Sequence, residues 1–254
     1  MNRDRTVEKS LLEYRRELMV AEFWPYLDAL EGRPASKKVA NKFFLGCIID
    51  YHQPVNRAWK KSRELVEDRW GDPADLWGTV SSFRLNQWMT FQDSFGLHRY
   101  PAAHKRVWRI GTQLREEYGG DARKLWLGFT VPQARQNLHS LRTGLAITEM
   151  VLGGLVDTGQ LEGSPDVKTD RHVKRVIGRI MLGREASDDE ARDLTRRLHK
   201  EDPWALDRPL FCLGKEAECG TSSEGCCRSR GRPRCALCLH RIRSVCVFAS
   251  DRGL

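Results

Sequence analysis

Residues 165–183 read Pro-Asp-Val-Lys-Thr-Asp-Arg-His-Val-Lys-Arg-Val-Ile-Gly-Arg-Ile-Met-Leu-Gly. Apolar residues in the second half of this stretch recur at the spacing of one helix face. They are Val173, Val176, Ile177, Ile180 and Met181. Asp170 stands where an N-cap belongs, and Gly183 is a suitable stop. The pattern therefore predicts a helix from about residue 171 to about residue 182.

The residues around Asp170 are strongly basic. These cations, called the basic collar below, are Lys168, Arg171, His172, Lys174 and Arg175. The positive end of the helix dipole should keep the Asp170 carboxylate ionised inside the collar. Such a carboxylate suits an enzyme with a polyanionic substrate and a cationic transition state. DNA base excision is such a reaction, because loss of the base leaves oxocarbenium character on the sugar. The alternative is that Asp170 only caps the helix.

The segment Asp170-Arg171-His172-Val173-x-Arg175-Val176 resembles the one that carries the catalytic aspartate in helix-hairpin-helix DNA glycosylases, the group of endonuclease III and the adenine glycosylases. That family reads roughly Val-Asp-x-His-Val-x-Arg-Val, and this chain departs from it at Thr169, where the family usually has an apolar residue. The resemblance extends over roughly Lys37 to Cys246. It implies an all-α, two-lobed fold, with double-stranded DNA across the cleft and the target base turned toward Asp170.

Short groups of turn-forming residues interrupt the chain at regular intervals, and the alternation of apolar and polar residues that marks a strand is scarce. The pattern therefore predicts an all-helical chain. The predicted helices span about residues 6–30, 37–49, 55–70, 102–118, 132–141 and 146–155. The second of them is apolar over Phe43–Ile49 and should be central to a core, with Cys47 as a small buried hydrophobe. The resemblance implies three parts: residues 1–36 as an N-terminal helix that packs with the C-terminal lobe, 37–158 as a six-helix lobe, and 159–254 as the catalytic lobe.

The amino-acid composition indicates the broad class of protein. The chain has 254 residues, of which 30% are charged and 40% hydrophobic, as in a globular protein. No apolar run reaches the roughly 20 residues that span a bilayer, and the N-terminus is too polar for a signal peptide. We therefore expect a cytoplasmic, nucleoid-associated monomer that does not bind membranes. A net charge of +9 fits a nucleic-acid partner, although it would also fit an acidic membrane surface.

The turn Asp50-Tyr51-His52-Gln53-Pro54 separates two predicted helices. In the resembling family, the loop at this place enters the duplex and fills the gap left by the extruded base. Tyr51, His52 and Gln53 are planar or amide side chains of the type that such a wedge requires, and the sequence does not choose among them. The alternative is an ordinary turn that ends at proline. Further along the chain, His98 and Arg99 are candidates for phosphate contacts. The alternative is that this segment only leads into the next helix.

Residues 132–155 match the place of the family's helix-hairpin-helix, whose turn presents backbone N–H groups to a DNA phosphate. The family pattern is near Leu-Pro-Gly-x-Gly; this chain keeps Leu141 and Gly144 but lacks the second glycine. Bifunctional members carry a nucleophilic lysine in the second helix of the hairpin. Residues 145–149, Leu-Ala-Ile-Thr-Glu, offer none. The resemblance therefore implies a monofunctional glycosylase, in which water attacks with the help of Asp170.

Seven of the eight cysteines lie between Cys212 and Cys246. In a reducing compartment such clustering favours a metal site, either zinc or an iron–sulfur cluster. Cys235 and Cys238 can bind one centre together with Cys246 and one upstream cysteine. The resemblance favours a [4Fe–4S] cluster and, as the remaining ligand, Cys219 or Cys227 ahead of Cys212 or Cys226. Arg234 and the other arginines of this segment should face DNA phosphates.

Two other functions are compatible with the same sequence. The first is a non-catalytic, metal-stabilised DNA-binding protein, for which Asp170 would be a helix cap. The second is an antiviral glycosylase that excises a hypermodified phage base instead of a damaged or mismatched one. The sequence does not indicate which base is removed.

Overall fold

A computed structural model describes residues 2–21, 35–51, 55–65, 73–215, 242 and 244–250. The chain is mostly helical, and these ranges contain no strand, which confirms the predicted all-α class. The α-helices, numbered along the chain, are α1 (Arg3–Ala21), α2 (Lys37–Ile49), α3 (Val55–Arg63), α4 (Leu76–Ser82), α5 (Leu85–Phe95), α6 (Pro101–Tyr118), α7 (Val131–Ser140), α8 (Leu145–Asp157), α9 (Arg171–Leu182), α10 (Asp188–Leu198), α11 (Asp207–Lys215) and α12 (Val247–Ser250). None of the helices in the described ranges is both long and apolar enough to cross a membrane.

The chain divides into two compact units. The terminal unit combines Met1–Glu22 with Ser164–Leu254, and the central unit is Phe23–Gly163. Each unit has its own cluster of buried apolar residues. The candidate residues are thus distributed between two independent cores, with Asp170 in the terminal unit and the hairpin in the central unit.

Helix α2 is the centre of the central unit. All of Phe43–Ile49 is buried, and Phe44 lies edge-on to Trp77 and Trp126 at ring-centroid distances of 5.9 and 6.3 Å. The predicted central position of this segment is confirmed. Cys47 is fully buried in the same core, as predicted for a small hydrophobe.

A buried amide fixes two neighbouring segments, at Ala74 and at residues 120–122, to α2. Asn41 is fully buried, and its Nδ2 donates to the carbonyl groups of Ala74 (3.1 Å) and Gly120 (3.0 Å). Its Oδ1 accepts from the backbone N–H of Ala122 at 3.0 Å. Because a buried backbone group without a partner is costly, this side chain replaces water for three loop groups at once.

Helix α9 occupies the corresponding place in the terminal unit. Its apolar face is buried as predicted, and it packs against α10, α11 and α12. Two glycines permit these contacts. A Cβ at Gly214 of α11 would lie 2.7 Å from the Cβ of His172, and a Cβ at Gly178 would lie 2.3 Å from the backbone nitrogen of Ala186. Neither distance is compatible with a larger residue in the same backbone arrangement.

The first helix belongs to the terminal unit. Helix α1 begins at Arg3, three residues before the predicted start, and residues 22–34 lie outside the described ranges. It packs against α11 and a 3-10 turn at Pro203–Leu206. Arg3 donates hydrogen bonds to the backbone carbonyls of Ile180 and Val245, the latter at 2.9 Å. These bonds tie the two chain ends of the unit together.

Candidate functional site

Asp170 lies at the N-cap of α9, as the sequence predicts. Its Oδ1 accepts hydrogen bonds from the backbone N–H groups of His172 (2.8 Å) and Val173 (3.0 Å). Its Oδ2 lies 3.5 Å from the ammonium group of Lys168. The side chain is 22% exposed, so a ligand can reach the carboxylate. The helix therefore holds one oxygen in place, and a longer ion pair engages the other.

The backbone that leads into α9 is fixed at two points ahead of Asp170. The N–H of Lys168 donates to the buried carboxylate of Asp207 at 2.6 Å. Two residues earlier, Asp166 accepts a bidentate pair of hydrogen bonds from Arg196, both of 2.8 Å. A catalytic carboxylate must keep its position while charge develops on the substrate, and this anchoring provides that rigidity.

The basic collar is largely neutralised within the terminal unit. Lys168 pairs with Asp170 itself, Lys174 lies 2.8 Å from Asp188, and Arg175 lies 3.8 Å from Glu185. Among the lysines and arginines of the collar, only the exposed Arg171 has no carboxylate partner in the described part of the chain. The free positive charge around Asp170 is therefore smaller than the sequence suggests.

His172 packs against α11. Its ring meets Phe211 edge-on at 5.3 Å, and Gly214 lies against its Cβ. Burial lowers the pKa of His172, while the negative charge of Asp170 and a hydrogen bond with the Gly214 backbone oppose that effect. At neutral pH its imidazole is uncharged, so His172 contributes to the packing of the N-terminus of α9 and not to the charge of the collar.

In the central unit, α7 and α8 form the predicted pair of helices joined by residues 141–144. The turn is locked from inside by Thr143, which is buried and whose Oγ1 bonds to the Leu138 carbonyl (3.0 Å) and to Thr148 Oγ1 (2.7 Å). Gly144 has φ +83°, and Arg142 has φ +53°, which is uncommon for a residue with a side chain and costs roughly 1–2 kcal/mol.

The N-terminus of α8 is open to a ligand. Its N-cap is Gly144, which is exposed and supplies no capping side chain for the first backbone N–H groups. Deeper in α8, Glu149 is buried and accepts a bidentate pair from Arg135 of α7, at 2.7 and 2.9 Å. The turn is thus held rigidly, whereas the position at which the family presents N–H groups to phosphate stays accessible.

Tyr51, the first wedge candidate, is held by its surroundings. Its carbonyl accepts from His98 Nε2 at 2.8 Å, and its ring stacks on the His98 ring with centroids 4.6 Å apart. The guanidinium of Arg106 lies 4.7 Å from the centre of the Tyr51 ring. His52 and Gln53, the other two candidates, lie outside the described residues.

His98 is 3% exposed, so it does not act as a phosphate ligand. Its Nδ1 accepts from the backbone N–H of Tyr100 at 3.0 Å, which places its proton on Nε2, toward Tyr51. Its own backbone N–H donates to Nε2 of the buried His104 at 3.2 Å. Burial lowers the pKa of both histidines. His104 thus holds His98, and His98 in turn holds Tyr51.

Three arginines meet beside the hairpin, in a group that we call the arginine cluster: Arg106 and Arg109 of α6, and Arg142 of the turn. Arg109 Nη2 donates to the Arg142 carbonyl at 3.1 Å. Burial, followed by the positive charges of Arg142 and Arg106, lowers the pKa of Arg109. The sequence analysis missed these residues. Their only local signal is the one-turn spacing of two arginines on a predicted helix.

Of the predicted metal ligands, the structure describes Cys246. Its thiol is buried and lies 3.7 Å from the Arg179 carbonyl. Cys212, a lower-ranked alternative, is buried within α11. Cys219, Cys226, Cys227, Cys235 and Cys238 lie outside the described residues, as does Arg234. No group of three or more metal-binding side chains occurs within the described ranges.

No protein-family model matches the chain, and no curated protein shows significant sequence similarity to it. The glycosylase resemblance therefore depends on the short motifs quoted above.

Proposed function

We propose that the protein is a monofunctional DNA glycosylase that turns a damaged, mismatched or modified base out of the duplex and hydrolyses its N-glycosidic bond. The observation that carries the proposal is Asp170: an accessible carboxylate fixed by two backbone N–H groups at a helix N-terminus, within a motif that resembles the family's catalytic segment. The two compact units would then be the lobes of the helix-hairpin-helix glycosylase fold.

In the proposed reaction, the Asp170 carboxylate stabilises the positive charge that develops on the sugar as the base departs. The N–H groups of His172 and Val173 hold Oδ1, so the carboxylate needs little reorganisation when that charge appears. Oδ2 directs the attacking water. Lys168, which pairs with Oδ2 in the free protein, provides an ammonium group that a DNA phosphate can also engage.

The second helix of the hairpin supports the absence of lyase activity. Residues 145–157 contain no lysine, and the acidic residue among its first turns, Glu149, is buried against Arg135. No amine is therefore available at the position from which the family's bifunctional members attack the sugar to form a Schiff base. The product is an intact abasic strand.

We further propose that Cys235, Cys238 and Cys246, with Cys219 or Cys227, bind a [4Fe–4S] cluster. Four thiolates are the donor set that such a cluster requires, and Cys246 is buried beside the start of α12, in reach of the α9 backbone. The cluster would have a structural role, in which it stabilises the segment that carries Arg234. Anaerobically purified protein should absorb near 400 nm and contain about four irons per chain; one zinc per colourless chain would contradict the cluster.

A non-catalytic, metal-stabilised DNA-binding protein is the second candidate function. It is favoured by one observation: a helix cap and an ion pair account for both oxygens of Asp170 without any substrate. Under this alternative Asp170 serves stability alone.

The decisive experiment offers the protein a panel of duplexes, each with one damaged, mismatched or phage-modified base. Strand cleavage only after alkali treatment would reveal a free abasic site and support a monofunctional glycosylase. Cleavage without alkali, together with a covalent adduct trapped by borohydride, would contradict the absence of a lyase nucleophile. DNA binding without an abasic product from any duplex would favour the non-catalytic alternative.

A further inference from the structure

The arginine cluster is positioned by the hairpin itself. Arg142 adopts φ +53°, and in this conformation its carbonyl accepts the hydrogen bond from Arg109. The turn next to it is fixed by the buried hydroxyl of Thr143. An uncommon backbone conformation is thus retained at the residue that joins α6 to the turn. Such conformations persist where the surrounding structure enforces them, often at binding sites.

The cluster is also electrostatically unusual. None of its three guanidinium groups has a carboxylate partner within the described ranges, whereas Arg115, on the same helix α6, pairs with Asp75 at 3.8 Å. The neighbouring positive charges help to lower the pKa of Arg109. Like charges held together in this way repel one another, and an anionic ligand would relieve that repulsion.

Aromatic rings, of which the His98 ring is buried and the Tyr100 ring exposed, adjoin the cluster on the side of Arg106. Arg106 lies over Tyr51, Tyr51 stacks on His98, and the His98 ring lies 5.5 Å from that of Tyr100. Tyr100 is 42% exposed and carries the guanidinium of Arg99 at 4.7 Å from its ring. Guanidinium groups interleaved with aromatic faces are typical of surfaces that follow a nucleic-acid strand.

We propose that Arg106, Arg109 and Arg142 bind phosphates of one DNA strand, and that this contact adds to the one made by the hairpin. The inference rests on the proposed function and adds to it: the resemblance places one phosphate at the N-terminus of α8, whereas the cluster supplies a second anchor from α6. The aromatic rings that adjoin the cluster begin at Tyr51, over which the Arg106 guanidinium lies.

The test measures binding of unmodified duplex DNA to the full chain by fluorescence anisotropy across a salt series. The variants are Arg109→Gln and Arg142→Asn, since asparagine tolerates the positive φ at position 142. Arg115→Gln is the matched control, because it removes the same charge from the same helix. Each cluster variant should weaken binding about equally for all sequences and reduce the slope of log K against log salt by about 0.9. The control should keep the wild-type slope.

The possible outcomes separate the surface from the catalytic proposal. Unchanged slopes in both cluster variants, or equal losses in all three variants, would overturn the local phosphate site. If the cluster variants lose binding to anionic vesicles of phosphatidylserine and phosphatidylcholine but bind DNA like the wild type, the cluster is a membrane-binding surface and the DNA proposal is wrong. If the cluster variants lose DNA affinity while the wild-type protein excises no base from any duplex, the phosphate-binding site is supported and the glycosylase proposal is wrong.

Discussion

Replacing Asp170 by asparagine and by alanine should separate catalysis from helix capping. Asparagine keeps an acceptor oxygen for the N–H groups of His172 and Val173, which now bond at 2.8 and 3.0 Å, but removes the negative charge. Asparagine and aspartate are comparable N-caps, and the 3.5 Å ion pair with Lys168 is expected to contribute little. Asp170→Asn should therefore lower the free energy of unfolding chiefly by the helix-dipole term, about 0.3–1 kcal/mol. Asp170→Ala removes both contributions and should cost about 1–2 kcal/mol.

The corresponding effect on chemistry should be larger and equal for both variants. Loss of one preorganised electrostatic group typically reduces the rate by about 10²–10³. Single-turnover excision by Asp170→Asn and Asp170→Ala should therefore fall at least about 100-fold, with DNA affinity retained. Thermal unfolding should meanwhile distinguish them, because 1 kcal/mol shifts the midpoint by roughly 2–4 °C in a protein of this size.

Ser187→Ala provides the matched control for capping. Ser187 caps α10 in the same unit, and its hydroxyl accepts from the Glu190 N–H at 3.2 Å. Its replacement should cost about 1 kcal/mol and leave excision unchanged. If Asp170→Asn excises bases at the wild-type rate, Asp170 is a cap and the proposed mechanism is wrong. If Asp170→Ala is as stable as the wild type, the argument about the cap fails.

Three further predictions concern the two cores. Gly178→Ala should destabilise by more than about 2 kcal/mol although alanine is the better helix former by about 1 kcal/mol, because its Cβ would lie 2.4 Å from the Arg184 carbonyl oxygen; a stabilised variant in a urea titration would refute the close approach. Asn41→Ala should cost about 2–4 kcal/mol, since it strands buried backbone groups of Gly120 and Ala122; a loss below about 1 kcal/mol in the same titration would show that water replaces the amide. The pKa values of His98 and His104 are lowered in the native state, so the unfolded chain binds more protons below about pH 6.5 and stability should be lost as pH falls through that range. His104→Gln should flatten this dependence of the melting temperature, and an unaltered profile would exclude His104 as its source.

The parts of the fold that the sequence predicts well are those set by local chemistry. The N-cap Asp170 and the stop at Gly183 are each decided by hydrogen bonds within a few residues. Helix α2 has the bounds that its apolar run and breakers predict. Such local patterns predict structure whatever the rest of the fold, because the groups that form these hydrogen bonds are neighbours in the chain.

Residues 76–95, for which the sequence pattern predicts no element, show the limit of local signals. They form two short helices, α4 and α5, separated by Phe83 and Arg84. Their conformation is stabilised by long-range burial: Trp77 and Trp88 are fully buried, and the indole N–H of Trp88 donates to the His104 carbonyl at 2.8 Å. No periodic pattern in the segment encodes those partners. The burial of His98, a candidate for phosphate contact in the sequence, likewise depends on partners 47 and 6 residues away.

The pairing of charges at the candidate sites also could not be predicted from the sequence, and it indicates different roles for the two sites. The sequence places its most conspicuous cations around Asp170, yet Lys174 and Arg175 are paired with carboxylates in the terminal unit. Three arginines that have no such partner within the described ranges are brought together by the fold from α6 and the hairpin turn, 33 residues apart. Cations that are already paired with carboxylates contribute little counterion release on DNA binding. Affinity should therefore depend on the arginine cluster and turnover on Asp170, so that variants at one should change binding with little effect on the chemical rate, and variants at the other the reverse.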